Sequence, residues 1–363
     1  MNQRMPALRI GDLEINPPII QGGMGVRVSM ANLAAAVAQE GCAGIIATAG
    51  IGRFEGCPRA ELPEVNLQAI REEIHKARSK THGVIGVNIM VALSDYDNLV
   101  KTAVEAKADI IISGAGLPLH LPELVGDSNV KLVPIISSVR TLNVILHRWR
   151  KRYGRQPDAV VIEGVKAGGH LGYSHQDVVE GTAQTLEEIV REVLPVANSF
   201  ERPIPVVAAG GIFTGADIAH YLRMGVAGVQ MATRFVCTHE CDVHENFKQA
   251  YLKARVEDLA IIKSPVGLPG RVIRNRFVDR IEQGQTSPFQ CSYQCLRTCD
   301  PSRAPYCIAE VLANAANGNM DNAFCFAGEN VYRCNKIVSV KELIADLVEE
   351  YQQCLQDEAS AKG

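Results

Sequence analysis

Eight short apolar runs, each leading into a helix-like stretch, constrain this chain more than any other feature. They read PPIIQGG (17–23), AGIIAT (43–48), GVIGVNIM (83–90), DIIISGAG (109–116), KLVPIIS (131–137), AVVIEG (159–164), PVVAAGG (205–211) and GVQMAT (228–233). Their apolar residues are continuous rather than alternating, as in strands buried on both faces of a parallel sheet. Between them, MANLAAAVAQE, LQAIREEIHKARSK, DYDNLVKTAVEAK, PLHLPELVG, TLNVILHRWRKRYG, TLEEIVREVLPVA and GADIAHYLRM read as helices. Eight such units within residues 1–235 fit an α/β fold of the (β/α)8 TIM-barrel type, for which ~250 residues is usual. A doubly wound open sheet is the alternative. It usually has fewer strands, and GGMGVRV lacks the third glycine or alanine of the dinucleotide fingerprint.

The pattern changes after Phe235. Residues 236–330 are rich in Cys, Pro and short helical pieces, with NFKQAYLKARVEDLAI the clearest helix, and read as a smaller Cys-rich cap beside the barrel mouth. Residues 331–363 contain VKELIADLVEEYQQCLQ (340–356), an amphipathic helix expected to pack on the barrel. A net charge of −3 gives no electrostatic case for nucleic acid or an anionic membrane as partner. No stretch approaches the ~20 apolar residues of a membrane span. MNQRMPALRIGDLEINPP has no apolar signal core, so the expected location is the cytoplasm. There the 11 cysteines, an odd number, read as reduced thiols or cofactor ligands rather than a disulfide framework.

Barrels of this type carry their active site at the C-terminal ends of the strands, with phosphate commonly held after strands seven and eight. Those ends read AAGGIFTGADIAHYL and VQMATRF. Gly210 and Gly211 would let backbone N–H groups approach a phosphate, with a helix N-terminus near Thr214 behind them, and Ala232 and Thr233 would add an N–H and a hydroxyl. A pair of tight strand-to-helix turns is the plainer alternative. Strand six ends in VVIEGVKAGGHLGYS, bringing Glu163, Gly164, Ala167, Gly168, Gly169 and His170 to the mouth. Adjacent glycines carry no side chain to pack, so they point to something approaching the backbone, with one histidine facing it. Gln21, Gly22, Gly23 and Met24 end strand one. Asn88, near the end of strand three, offers donor and acceptor together, or caps a turn. A flat, phosphate-bearing ligand such as flavin mononucleotide (FMN) suits this set. Its phosphate would lie at strands seven and eight and its ring over the strand-one glycines, with His170 handling protons.

PPIIQGGM, GVNIM, EGVKAGGHLG, AAGGIFTG and VQMATRFVCTHECDVH, in this order and spacing, resemble the FMN-dependent nitronate monooxygenase family. The likeness spans residues 17 to about 276, and the flavin-dependent enoyl-acyl-carrier-protein reductases share its motifs. The resemblance implies FMN contacts at Gly22, Gly23, Met24, Asn88, Glu163, Gly169, Gly210, Gly211, Ala232 and Thr233, with His170 as the active-site histidine. It also implies a small-molecule substrate. In the monooxygenases oxygen and flavin convert an alkyl nitronate to a carbonyl compound and nitrite. In the reductases NADH reduces the flavin, which passes hydride to an enoyl thioester. Some monooxygenases hold FMN with a lysine after strand five, where this chain has Ser137 and Ser138. Lys166 stays unassigned, with a solvated loop lysine its plain reading, and SPVGLPGRVIRN (264–275) is closer to the reductases. GGIFTGADIAHYLRMGVAGVQMATRF also resembles the phosphate site of inosine-monophosphate dehydrogenases, but their cysteine-bearing catalytic loop has no counterpart. A homodimer is left open.

CSYQCLRTCDPSRAPYC adds Cys291, Cys295, Cys299 and Cys307 in a C-x3-C-x3-C-x7-C pattern that matches neither the common zinc nor the ferredoxin spacings. Four thiols so close could hold an iron–sulfur cluster near the mouth. Alternatively, the first three lie along one helix face as small buried hydrophobes, while Cys325 and Cys334 have no motif around them. His239, Glu240 and His244 in THECDVH read as structural or substrate-adjacent rather than as a metal set, and no metal ion is expected.

Overall fold

The computed structural model describes residues 4–52, 58, 61–291 and 293–361. Thirteen strands appear among them: β1 (Leu8–Ile10), β2 (Leu13–Ile15), β3 (Ile19–Gln21), β4 (Gly44–Ala47), β5 (Ile85–Met90), β6 (Ile110–Gly114), β7 (Lys131–Ile136), β8 (Val160–Glu163), β9 (Gly169–His170), β10 (Val206–Ala209), β11 (Gly228–Met231), β12 (Leu259–Lys263) and β13 (Pro269–Ile273). Eight of these, each inside one of the apolar runs, pair in parallel in the order β3-β11-β10-β8-β7-β6-β5-β4. The ring closes between β3 and β4, where Ile20 bridges Ala43 in parallel and Gln21 N–H donates to Ala43 O at 2.9 Å. This is the TIM barrel the sequence predicts.

Strand burial on both faces divides the core in two. Ile20, Ile45, Ile110, Ile112, Val133, Val161 and Val207 belong to an inner cluster, joined by Leu8, Ile10 and Ile15 of the β1–β2 hairpin. That hairpin, which the sequence reading missed, seals one end of the barrel with its apolar face. The outer cluster lies between strands and helices. Helix Ala31–Gln39 shows what close packing requires: a Cβ on Gly44 would sit 1.9 Å from Ala34 O, so only glycine admits the helix there. Helix Gly215–Met224, after β10, receives helix Val340–Ala361, and the Glu350 carboxylate accepts the Gly215 N–H at 2.7 Å.

Two expectations beyond the barrel are corrected. The helix expected over NFKQAYLKARVEDLAI stops at Lys253, because Ala254 turns extended, and its last residues enter β12 instead. β12 and β13 form an antiparallel hairpin whose second strand pairs with β9, Gly270 opposite His170. The helical face proposed for Cys291, Cys295 and Cys299 is absent: no helix or strand is formed among the described residues between Glu282 and Ile308. Pro288, Pro301 and Pro305 interrupt that segment and cannot donate helical hydrogen bonds.

Candidate active site

The barrel mouth encloses a cavity of ≈ 220 Å³ at the C-terminal ends of the strands. Gly22, Gly23, Met24, Asn88, Glu163, Gly169, His170, Ala232 and Thr233 all line it. Glycine is a spatial necessity at one of these positions: a Cβ on Gly23 would fall 2.5 Å from Asn88 Cβ. Gly169 has φ +80° and nothing within 4 Å of the Cβ position, so its missing side chain leaves open space at the wall. Gln21 does not face the cavity. It is fully buried, donating to Ser29 Oγ at 2.8 Å and accepting the Ile45 N–H at 3.0 Å, and so ties the first two barrel strands together.

Gly210 and Gly211 are not among the lining residues. Their geometry has another cause. A Cβ on Gly210 would lie 2.8 Å from Gly164 O, and one on Gly211 would lie 3.0 Å from Lys166 Cβ, so both let the strand-six loop lie close. The Gly211 carbonyl accepts from Asn330 Nδ2 at 2.7 Å. The helix N-terminus expected to face phosphate is also occupied. Asp217 accepts the Phe213 and Thr214 N–H groups at 2.9 and 2.8 Å, and Glu350 takes that of Gly215. The sequence flags neither carboxylate as a competitor because one is an ordinary capping residue and the other arrives from 135 positions away.

His170 is placed by both parts of the molecule. Its backbone belongs to β9, and its Nε2 is 2.8 Å from the hydroxyl of Ser264, in the cap hairpin's turn. Phe326 meets the imidazole edge-on at 4.8 Å. Burial pulls its pKa down to about 4, so the ring is uncharged at neutral pH. Glu163 moves the other way: burial pushes its carboxyl up to about 7, and its backbone carbonyl accepts from Tyr173 Oη at 2.8 Å. Arg271, on β13, clasps the glycine loop from the cap side, donating to Ala167 O at 3.1 Å and Val165 O at 2.7 Å. Gly328 N–H donates to Thr233 Oγ1 at 3.2 Å.

The remaining candidates are structural. Ser137 Oγ donates to Gly172 O at 3.0 Å, and Ser138 caps helix Val139–Tyr153 with Thr141. Lys166 is exposed and pairs with Glu329 at 3.6 Å. His244 Nδ1 accepts the Asn246 N–H at 3.0 Å, and Glu240 accepts that of Val340 at 3.0 Å, both roles within the fold. Sequence reading missed Gln230, Phe326 and Ser264. Gln230 carried a signal, being the one polar side chain in the β11 run. It lines the cavity, and its buried Oε1 has no hydrogen-bond partner among the described residues.

The family model of the nitronate monooxygenases matches residues 7–98 and 57–350. A (3aS,4S,5R,7aS)-5-hydroxy-7a-methyl-1-oxo-octahydro-1H-indene-4-carboxyl-CoA dehydrogenase of Mycobacterium tuberculosis is 27% identical over 284 residues, covering 78% of this chain and 70% of the relative. A probable nitronate monooxygenase of Staphylococcus aureus is 26% identical over 311 residues, covering 75% of this chain and 79% of the relative. Among solved structures, FabK from Thermotoga maritima is similar at 28% identity and a TM-score of 0.73, with 95% of each chain covered.

Proposed function

The chain belongs to the nitronate monooxygenase family, and from that premise we propose that it uses FMN to oxidise alkyl nitronates with oxygen to a carbonyl compound and nitrite. The observation that carries this reading is an uncharged His170 at the wall of a glycine-lined cavity that also presents an unpartnered amide carbonyl. A buried acceptor without a donor is costly, and the ring N–H of a flavin is a donor of the kind Gln230 lacks. The glycine-walled shape suits a flat ring, so the residues present fit the cofactor. Gly22, Gly23, Met24, Asn88, Glu163 and Gly169 would border the ring, and Ala232 and Thr233 the phosphate end. Gly210 and Gly211 join only if the phosphate extends past the present wall.

FMN supplies the electron chemistry when bound. The chain's own part is to position and to manage protons. His170 is a buried, uncharged imidazole at the cavity wall, placed to give or take a proton at a reacting substrate. The Ser264 hydroxyl fixes its ring. Glu163, with a carboxyl near 7, is largely spared full negative charge at the cavity wall. Arg271 holds the glycine loop in register so that both groups face one volume.

A second reading, NADH-dependent reduction of enoyl thioesters, is favoured by the full-length likeness to FabK and by a relative that acts on a CoA thioester. Anaerobic absorbance titration separates the two. Bleaching of bound flavin by an alkyl nitronate, with no response to NADH, supports the oxidation. Bleaching by NADH followed by reoxidation with an enoyl thioester supports the reductase instead. Protein purified without flavin, and unable to take it up, overturns both.

A further inference from the structure

Four cysteines remain outside this chemistry. A second chamber of ≈ 350 Å³ adjoins the first and shares Val26, Ala49, Met90, His170 and Leu312 with it as a common wall. Cys291, Cys295, Cys299 and Cys307 all line this chamber. They differ from the chain's packing cysteines: Cys42, Cys237, Cys241, Cys325 and Cys334 are buried, whereas these four are partly open to the cavity. All four border this one chamber, so the thiols are gathered in space and not merely in sequence.

The surrounding backbone is held in a way that fixes the thiols without regular structure. Leu296 bridges Leu93, Arg297 N–H donates to Ala92 O at 2.9 Å, and Ser94 N–H donates to Cys295 O at 3.0 Å, so the loop is stitched to the exit of β5. Thr298 Oγ1 donates to Val266 O at 2.8 Å, tying it to the cap hairpin. Cys307 is the N-cap residue of helix Ile308–Ala316, so its place is fixed by the start of that helix. A long segment without helix or strand commonly needs such a staple, and metal binding supplies one.

We propose that Cys291, Cys295, Cys299 and Cys307 hold a [4Fe–4S] cluster in this second chamber, beside the flavin site. Among the described residues no three His, Cys, Asp or Glu side chains are grouped to hold a metal ion. Ligands of a single tetrahedral ion at ~2.3 Å must crowd together, whereas a cubane offers four separate irons, one per thiolate, and needs a wider set.

The test uses the whole chain, expressed and purified without oxygen, with iron, acid-labile sulfide and FMN each quantified. About four irons and four sulfides per chain, with a paramagnetic signal after dithionite reduction, are expected alongside FMN. Cys295→Ser and Cys299→Ser should each lose over nine-tenths of the iron and keep FMN, while Cys354→Ser loses none. Where a variant fails to fold, alkylation of the native wild-type protein decides. The four thiols should resist iodoacetamide until iron is stripped, and equal labelling before and after overturns the site. Three further results overturn it: FMN-bound protein that takes up no iron from ferrous salt and sulfide, a single metal without sulfide, or iron retained in both Cys295→Ser and Cys299→Ser. Iron and sulfide without FMN would leave the cluster standing and remove the flavin reading.

Discussion

The two chambers at the barrel mouth share a wall and are built by opposite means. The smaller is framed by strand ends and by glycines whose missing side chains make the space. The larger is framed mainly by the irregular segment from Phe289 to Cys307 and helix Ile308–Ala316, with Leu62, Asn66 and Leu99 of two barrel helices opposite, and is pinned by scattered hydrogen bonds. The first inherits rigidity from a closed ladder of eight strands. The second depends on a few contacts, each worth about 1 kcal/mol. The difference teaches how each space is held: the first by a ladder that all eight strands share, the second by contacts that can be removed one at a time.

The largest effect is expected where the two constructions touch. A Cβ on Gly168 would lie 2.5 Å from Ala327 C and 2.6 Å from Gly328 N, backbone atoms that cannot swing aside. Gly168→Val should therefore displace residues 327–328 from the glycine loop and release Thr233 from its partner, costing 3 kcal/mol or more, roughly the upper end for overpacking. Loss of bound flavin and a lowered unfolding midpoint in urea are the expected readings. A variant that melts normally and holds FMN would mean the cap does not buttress the ring site.

His170, on the shared wall, sharpens the contrast. His170→Ala should keep FMN, since the glycine frame is untouched, and lose turnover by roughly 10²- to 10⁴-fold, as for removal of a proton-handling side chain. Loss of flavin in step with activity would instead make the histidine part of the frame.

How much of this was legible follows from the same division. The eight strands stood out because burial on both faces demands continuous apolar runs, and Gly22, Gly23, Asn88, Gly169 and His170 could be placed at the barrel mouth because they end or closely follow those runs. The β12–β13 hairpin was hidden: LAIIK is a short apolar run that periodicity alone does not distinguish from the end of a helix. Ser264 therefore could not be paired with His170 from sequence. The C-x3-C-x3-C spacing imitated a helix face, and only the flanking Pro288 and Pro301 argued otherwise. Gly210 and Gly211 were recognised as special for a sound reason, backbone approach, but the backbone that approaches is the chain's own loop at residues 164–167.

Acid sensitivity tests the scaffold side by itself. In FMN-free protein the Glu163 carboxyl titrates at about 7 instead of its ordinary 4.5. Above pH 4.5 the unfolded chain gains by ionising while the folded one does not, so this group costs stability that grows until pH 7 and is constant beyond. Glu163→Gln should then be more stable than the natural chain at pH 8, by up to about 3 kcal/mol, and equal to it at pH 4. His170 works in the opposite sense: its depressed pKa weakens the fold as pH falls from 6.5 towards 4. Urea unfolding at three pH values measures both. A Glu163→Gln gain that is the same at pH 4 and pH 8 would show that the carboxyl is not held neutral.

The smallest effect isolates the irregular chamber. Thr298→Val deletes one hydrogen bond, to Val266 O, while keeping the side chain's shape. It should lower stability by about 1 kcal/mol and raise amide exchange in residues 293–299, because Thr298 ties that segment to the cap hairpin. FMN affinity should not move. The expected pattern is local loosening beside an unchanged ring site, since β3, β5, β8 and β11 are locked by ladders that Thr298 does not join. Equal loosening of both chambers would instead mean that the shared wall of Val26, Ala49, Met90, His170 and Leu312 couples them. The cap would then be part of the flavin site rather than a module resting on it, and substitutions in the cysteine loop would be expected to alter flavin binding directly.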